Sequence, residues 1–202
     1  MNDIERAISD ISDIRSRLAA STRFHGYAPE AVAVIGLLSL AVVLAQLAWP
    51  GVLARDSAQV AVVWGIVIFA SGTTMAAEAI TRSRRQHGGM AGAMLRGAMR
   101  VAVPVMAVNI VTGVSVLTFA PEVSWLLPGV WQMLVGIVAF ASYSTMPRGI
   151  VWPAAWYLLC GAVVTIAAGA AQSVTPLMAG GPYVVGHLVI AWLLYREGVQ
   201  SE

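Results

Sequence analysis

The chain has 202 residues, of which 58% are hydrophobic and 11% charged, with a mean hydropathy of +0.77 and a formal net charge of +2. A soluble domain carries roughly 25% charged residues, so this composition excludes an ordinary water-soluble globule and places the chain in the membrane class. Spanning the bilayer consumes almost all of the length, which leaves no room for a separate soluble catalytic domain.

The opening MNDIERAISDISDIRSRLAASTRF carries Ile4, Ala7, Ile11, Ile14 and Leu18 at heptad spacing, with Ile8 widening the stripe. This predicts an amphipathic helix within an N-terminal segment at 1–29. The headgroup surface, a helical partner and the protein's own cytoplasmic loops compete for that stripe. A helix lying on lipid prefers a basic polar face, whereas here Asp3, Glu5, Asp10 and Asp13 offset Arg6, Arg15 and Arg17. Protein contact is therefore favoured, and Ile4, Ile11, Ile14 and Leu18 form a candidate assembly stripe. Two to three heptads are short for an independent coiled coil, so the stripe suits a seat under its own bundle or against a sister subunit of a homo-oligomer. No signal peptide is expected, because the first apolar run lacks a basic leader and a cleavage pattern.

Crossing ~30 Å of hydrocarbon takes about 20 apolar residues, and such runs lie near 31–49, 58–80, 101–120, 125–145, 150–171 and 177–195. The expected fold is all-α: a polytopic six-helix bundle at 30–200, written as three tandem hairpins. All twelve basic residues are arginine, and eleven of them fall before span one, between spans two and three or four and five, or after span six, leaving Arg55 alone on the opposite side. Such asymmetry marks the arginine-bearing side as cytoplasmic, with both termini there, as in a multi-pass protein of the bacterial inner membrane. Trp49, Trp125 and Tyr183 at outer ends, with Tyr27, Trp152, Trp192 and Tyr195 at inner ends, are expected to form interfacial belts. Since the arginines serve topology and anionic head groups, no direct nucleic-acid binding is expected.

Between spans two and three, TRSRRQHGGMAGAMLRGAMR begins with a basic cluster, breaks at Gly88-Gly89 and turns helical from Met90. Arg84, Arg85, Arg96 and Arg100 are candidate contacts for anionic lipid or for an acidic cytoplasmic protein partner, with the lipid reading favoured. Pro104 is expected to kink the helix that follows.

Residues 65–75, GIVIFASGTTM, nearly recur as GIVAFASYSTM at 136–146, 71 positions on, and the same shift lays AVAV at 31–34 over AVPV at 102–105 and Pro50 over Pro121. The match covers a whole hairpin in parallel orientation and predicts an internal repeat of spans one and two in spans three and four. A fainter third copy is traced by His25-Gly26, Arg96-Gly97 and Arg148-Gly149 ahead of each inbound span, and by Gly65, Gly136 and Gly186 in the return spans.

Ionisable residues inside a membrane are costly and therefore informative. Glu78 and His187 are the two within spans. Glu78 stands four residues before Arg82, the favourable orientation for a salt bridge along a helix. His187 near the middle of span six comes within about 8 Å of the depth of Asn109 in span three and Gln132 in span four if each residue rises ~1.5 Å. Asn109, Gln132 and His187 thus form a candidate midplane polar site, able to hold a small polar substrate or relay a proton, or else a set of interhelical hydrogen bonds. Gly180-Gly181-Pro182 precedes only thirteen apolar residues, which suggests a half-helix starting at membrane depth with its positive end near His187.

Enzyme constellations are missing: there is no H-E-x-x-H, no G-x-S-x-G, no pair of intramembrane aspartates and no P-loop glycine pattern. The three histidines fall at different depths, so no metal or cofactor is expected, and the protein is read as a non-enzyme. The single Cys160 excludes an intrachain disulfide, and Gly161, Thr165 and Gly169 make a small-residue stripe suited to close helix contact.

TRSRRQHGG, WLLPGVWQ at 125–132 and NDIERAISDIS resemble an uncharacterised family of bacterial inner-membrane proteins of about this length, over essentially the whole chain. That family has no established activity or binding residues; some of its members are encoded beside a small winged-helix transcription regulator. The triple hairpin is similar in topology alone to three-hairpin acid-resistance membrane proteins. The sequence reading is thus a membrane scaffold or regulatory protein engaging a partner or sister subunit through its cytoplasmic face; the alternative is a small transporter or channel using the midplane site.

The orientation is directly testable. In a Cys160→Ser background, single cysteines placed within 82–100 should resist an impermeant maleimide added outside intact cells, while cysteines replacing Arg55 or Glu122 should label; the reverse pattern overturns the orientation.

Overall fold

Proline has no N–H to lose at the first turn of a helix and its φ is already helical. Pro29 accordingly opens the first long helix, α1 (Pro29–Ala48), with Glu30 in its first turn. A single turn at Pro50–Leu53 leads to α2 (Ser57–Gln86). Its start is capped reciprocally: the Gln59 N–H donates to Asp56 Oδ1 at 2.8 Å, and Gln59 Oε1 accepts the Arg55 N–H at 2.9 Å. Then come α3 (Ala91–Phe119), a 3₁₀ turn at Pro121–Leu126, α4 (Leu127–Ala141), a 3₁₀ turn at Arg148–Ile150, α5 (Val151–Ala171) and α6 (Pro176–Gln200). The computed structural model describes the backbone at 28–86, 91–143, 146 and 148–200, and the side chains at 28–81, 99–143, 146 and 149–196. The stripe Ile4, Ile11, Ile14 and Leu18 and the side chains of Arg82, Arg84, Arg85 and Arg96 lie outside the described residues; Arg100 is exposed.

Among the described residues six helices are long and apolar enough to cross a membrane, and the architecture is an all-α bundle. Consecutive helices ring the bundle and α6 closes the ring on α1. The tightest pairs are α1 with α6 and α4 with α5, followed by α2 with α3, so helix packing is offset by one helix from the hairpins as written along the chain. Helices α2 and α3 form the loosest sector.

Contact is made through small residues, because helices in lipid gain nothing from hiding apolar surface from one another and rely on close approach. On α1 the buried positions are Val32, Ile35, Gly36, Ser39, Val43 and Gln46, at helical spacing, while Leu37, Leu38, Leu44 and Leu47 are exposed. Small, polar and β-branched groups therefore face inward and leucines face outward. The α4–α5 seam is closer still: a Cβ built on Gly161 would come to 2.6 Å of the Gly129 carbonyl oxygen, and one on Gly129 to 2.8 Å of the Gly161 oxygen. The stripe Gly161, Thr165, Gly169 lies on this seam, with Gly169 under the Trp125 ring.

Three sequence expectations are revised. Span four begins at Pro121 and ends at Ala141, earlier than 125–145, because the proline opens a helical turn at once. The half-helix expected after Gly180-Gly181-Pro182 is replaced by a helix that runs through this triplet from Pro176. Tyr183 is no belt residue: it is buried and stacked on Trp64 with ring centroids 5.5 Å apart. Trp49, Trp152, Trp192 and Tyr195 are exposed, as girdle residues should be. Helix α3 continues through Pro104.

Gly161→Ala should lower stability by about 1–3 kcal/mol, because backbone rather than a flexible side chain occupies the space of the new methyl group. A thermal-unfolding midpoint in detergent checks this, with half-buried Cys160→Ala as the neighbour expected to change little.

Candidate functional site

The site is organised by α6. Within a helix, Pro182 cannot donate to the Met178 carbonyl four residues back, and hydrocarbon supplies no substitute donor. Gln132 of α4 supplies one: its Nε2 donates to the Met178 oxygen at 2.9 Å and to the Ala179 oxygen at 3.1 Å. Nearby, Trp156 Nε1 of α5 donates to the Pro182 oxygen at 3.1 Å. Glycines admit the neighbouring rings at this level: Gly180 faces Trp64 and Gly186 faces Tyr157, in each case with no space for a Cβ.

His187 follows one turn after Tyr183. Its Nδ1 lies 2.9 Å from the Tyr183 carbonyl oxygen and 2.8 Å from Tyr157 Oη. With the proton on Nδ1 the ring donates to the Tyr183 carbonyl and Nε2 is an acceptor; with the proton on Nε2 the Tyr157 O–H donates to Nδ1 and Nε2 is a donor. Tyr183 is sandwiched between Trp64 and His187, the latter with ring centroids 6.1 Å apart.

Between these side chains and α1–α4 lies a cavity of about 220 Å³. Its polar lining consists of Ser39, Ser71, Asn109, Ser142, Tyr183 and His187, set among Met75, Met99, Met106 and Met146 and small apolar residues. It extends from the level of Tyr183 and Asn109 to Met99, Met146 and Ile150, at the end of the bundle where α2 leaves and α3 returns. The opposite end is filled by a core of Val43, Val60, Trp64, Leu127, Val174 and Ala179. There Trp64 Nε1 donates to Gln46 Oε1 at 2.9 Å, and Gln46 Nε2 donates to the Leu53 oxygen at 3.0 Å, tying α1, α2 and their connection together.

Five buried polar atoms have no hydrogen-bond partner among the described residues. Trp125 Nε1 and Gln132 Oε1 belong to residues that do not line the cavity, whereas Asn109 and Tyr183, which carry Oδ1 and Oη, do; the fifth is Trp131 Nε1. A buried orphan of this kind costs about 1–3 kcal/mol, so the bundle carries unused hydrogen-bonding capacity, part of it in residues that line the cavity.

The candidate midplane set is therefore divided. Asn109 and His187 meet on one cavity. Gln132 does not join them: it holds α6 at Met178 and Ala179, nine and eight residues before His187, or roughly 12 Å along the helix. Counting depth along straight spans places three residues in one layer; side-chain direction and the carbonyl freed at Pro182 separate them. Glu78 is half-buried on α2, and the side chain of Arg82 lies outside the described residues. Tyr157, Tyr183 and Trp131 escape the sequence reading as site residues, although polar tips at mid-span are a signal against pure packing. Among the described residues no group of three or more His, Cys, Asp or Glu gathers as a metal site.

Comparison of the chain with protein-family models, with curated proteins and with solved structures gives no match.

The role assigned to Gln132 predicts a coupling. Gln132→Leu should lower stability by about 1 kcal/mol, and less in a Pro182→Ala background, where the backbone N–H restored by the substitution serves the Met178 carbonyl; a thermal double-mutant cycle in detergent measures the difference.

Proposed function

We propose that the protein is a small membrane carrier that binds an uncharged, hydrogen-bonding molecule in the cavity shared by Asn109, Tyr183 and His187. The observation that carries this reading is the set of unpartnered buried polar atoms beside that cavity, Tyr183 Oη and Asn109 Oδ1. A hydroxyl or amide group satisfies them together, accepting from the tyrosine O–H and donating to the asparagine oxygen, with His187 Nε2 within the same cavity lining as donor or acceptor according to its tautomer. At about 220 Å³ the space is below the ~300–1,000 Å³ of drug-sized sites, so the bound group is small. Among the described lining residues no carboxylate or guanidinium is present to meet a charge, which favours an uncharged ligand.

The filled core at the opposite end of the bundle supports a carrier caught open toward one side over a continuous channel. With the arginine-bearing end taken as cytoplasmic, in a bacterial inner membrane, the cavity reaches toward the cytoplasm. The competing proposal is the partner-engaging scaffold, which rests on Ile4, Ile11, Ile14, Leu18, Arg84, Arg85 and Arg96, all outside the described side chains.

The two proposals diverge on one measurement. Vesicles containing the full chain should take up at least one class of uncharged solute saturably from a panel of glycerol, monoacylglycerol, urea and short amides. His187→Ala and Asn109→Leu should cut that uptake at least tenfold while the protein stays folded. Intact capture of a cytoplasmic partner by wild type and His187→Ala, with no saturable uptake by either, would overturn the carrier in favour of the scaffold.

A further inference from the structure

Outside the cavity, a second space of about 360 Å³ lies between α2 and α3. Its walls include exposed residues from both helices, Val62, Ile66 and Phe69 on one side and Ile110 and Val114 on the other, so it is a groove on the bilayer-facing surface. Its floor is Trp131 of α4, whose ring lies against Gly65 and Gly113: a Cβ at those positions would come to 3.2 and 3.0 Å of the ring. Glycine at both positions is what lets the groove reach an indole belonging to a third helix.

Ile68, Met106 and Asn109 border both spaces. Groove and cavity are thus separated by three side chains. One of them, Met106, is an unbranched thioether that changes rotamer at small cost, and its tip rests on Gly72. Another, Asn109, has an unpartnered amide oxygen although the residue is 8% exposed; Trp131, at 3% exposed, has an unpartnered indole N–H. Asn109 stands one helical turn before Gly113, the residue that touches the Trp131 ring. An unpaired acceptor therefore belongs to the wall between groove and cavity, and an unpaired donor to the residue that floors the groove. A purely lipid-facing groove has no use for either, and a purely internal cavity has no use for an apolar channel open to the bilayer.

We propose that the carrier's ligand is a single-chain lipid with an uncharged, hydroxyl-bearing head, which enters sideways from the bilayer between α2 and α3. The head passes Asn109 and Met106 into the cavity, exchanging hydrogen bonds with Trp131 Nε1 and Asn109 for those with Tyr183 and His187, while the acyl chain remains in the apolar groove. This deepens the carrier reading and rests on it. The loose contact of the α2–α3 sector with the remaining helices provides the necessary give.

The test uses the full chain in phosphatidylethanolamine/phosphatidylglycerol vesicles and a 1-monoacylglycerol bearing a diazirine in its acyl chain next to the ester, with photoadducts mapped by peptide mass spectrometry. Saturable adducts are expected on the groove residues and on the segment holding Tyr183 and His187. Unlabelled monoacylglycerol should displace them, and neither glycerol nor a fatty-acid salt should. Ile66→Trp and Val114→Trp, which fill the groove from bilayer-facing positions, should reduce cavity adducts at least fivefold with an unchanged thermal midpoint. Phe119→Trp, also exposed but outside the groove, should not. Asn109→Leu should reduce displaceable labelling without filling the groove. Unchanged cavity adducts in both groove-filling variants, or displacement by glycerol, would overturn lateral access and leave the cavity reading standing. Equal displacement by the fatty-acid salt would overturn the uncharged head, and no saturable adducts at all would overturn this inference, while the solute-uptake panel decides the carrier separately.

Discussion

The carbonyl oxygen of Met178 is the point on which the bundle turns. In water, a proline in a helix leaves a carbonyl that solvent can satisfy; in hydrocarbon the donor must come from protein. Gln132 provides it and so fixes α4 against α6. Trp156, also bonded to α6, brings α5 to the same segment. Once these helices are held, Gly180 and Gly186 receive Trp64 and Tyr157, and the stack Trp64, Tyr183, His187 follows. Four of the other five helices are thereby tied to one stretch of α6, directly or through their neighbours. Helix α3 has no part in this tie.

That unequal distribution of contacts shapes the open spaces. Where small residues meet, as at Gly129 and Gly161, backbones close up and no space remains. Where α3 faces the bundle, medium-sized and flexible side chains, Met99, Met106 and Val105, line the interior instead, and a cavity remains. Methionine fills irregular gaps but specifies them poorly, so the wall it builds yields more readily than the α4–α5 seam. Rigidity on one side and compliance on the other would suit the proposed carrier, which has to admit a ligand without opening its whole bundle.

The polar atoms follow the same logic. Gln46 and Trp64 satisfy each other and seal one end, while Asn109, Tyr183 and Trp131 retain unpaired atoms next to the open spaces. Interhelical hydrogen bonds in membranes average well under ~2 kcal/mol, so polarity at mid-span is weak evidence of function by itself. Its location beside a void is what separates Asn109 from Gln132, whose Nε2 is spent on α6 although its Oε1, like Asn109 Oδ1, has no partner among the described residues.

Hydropathy alone determined the class, the six spans and the all-α architecture, because crossing hydrocarbon demands long apolar helices whatever their order in space. It also exposed the small-residue stripe at Gly161, Thr165 and Gly169, since close approach requires a spacing of four on one helix. The pair Asn109 and His187 was legible from depth, which rise per residue sets. Which helices embrace, and which way Gln132 turns, only the tertiary structure decided: a span carries its depth in its sequence, but its rotation and its neighbours are set by packing against other helices and by a carbonyl that a proline leaves without a donor. Tyr183 reads as an interfacial residue in the sequence for that reason, because nearness to one end of a span does not say whether the ring faces lipid or the centre of the bundle.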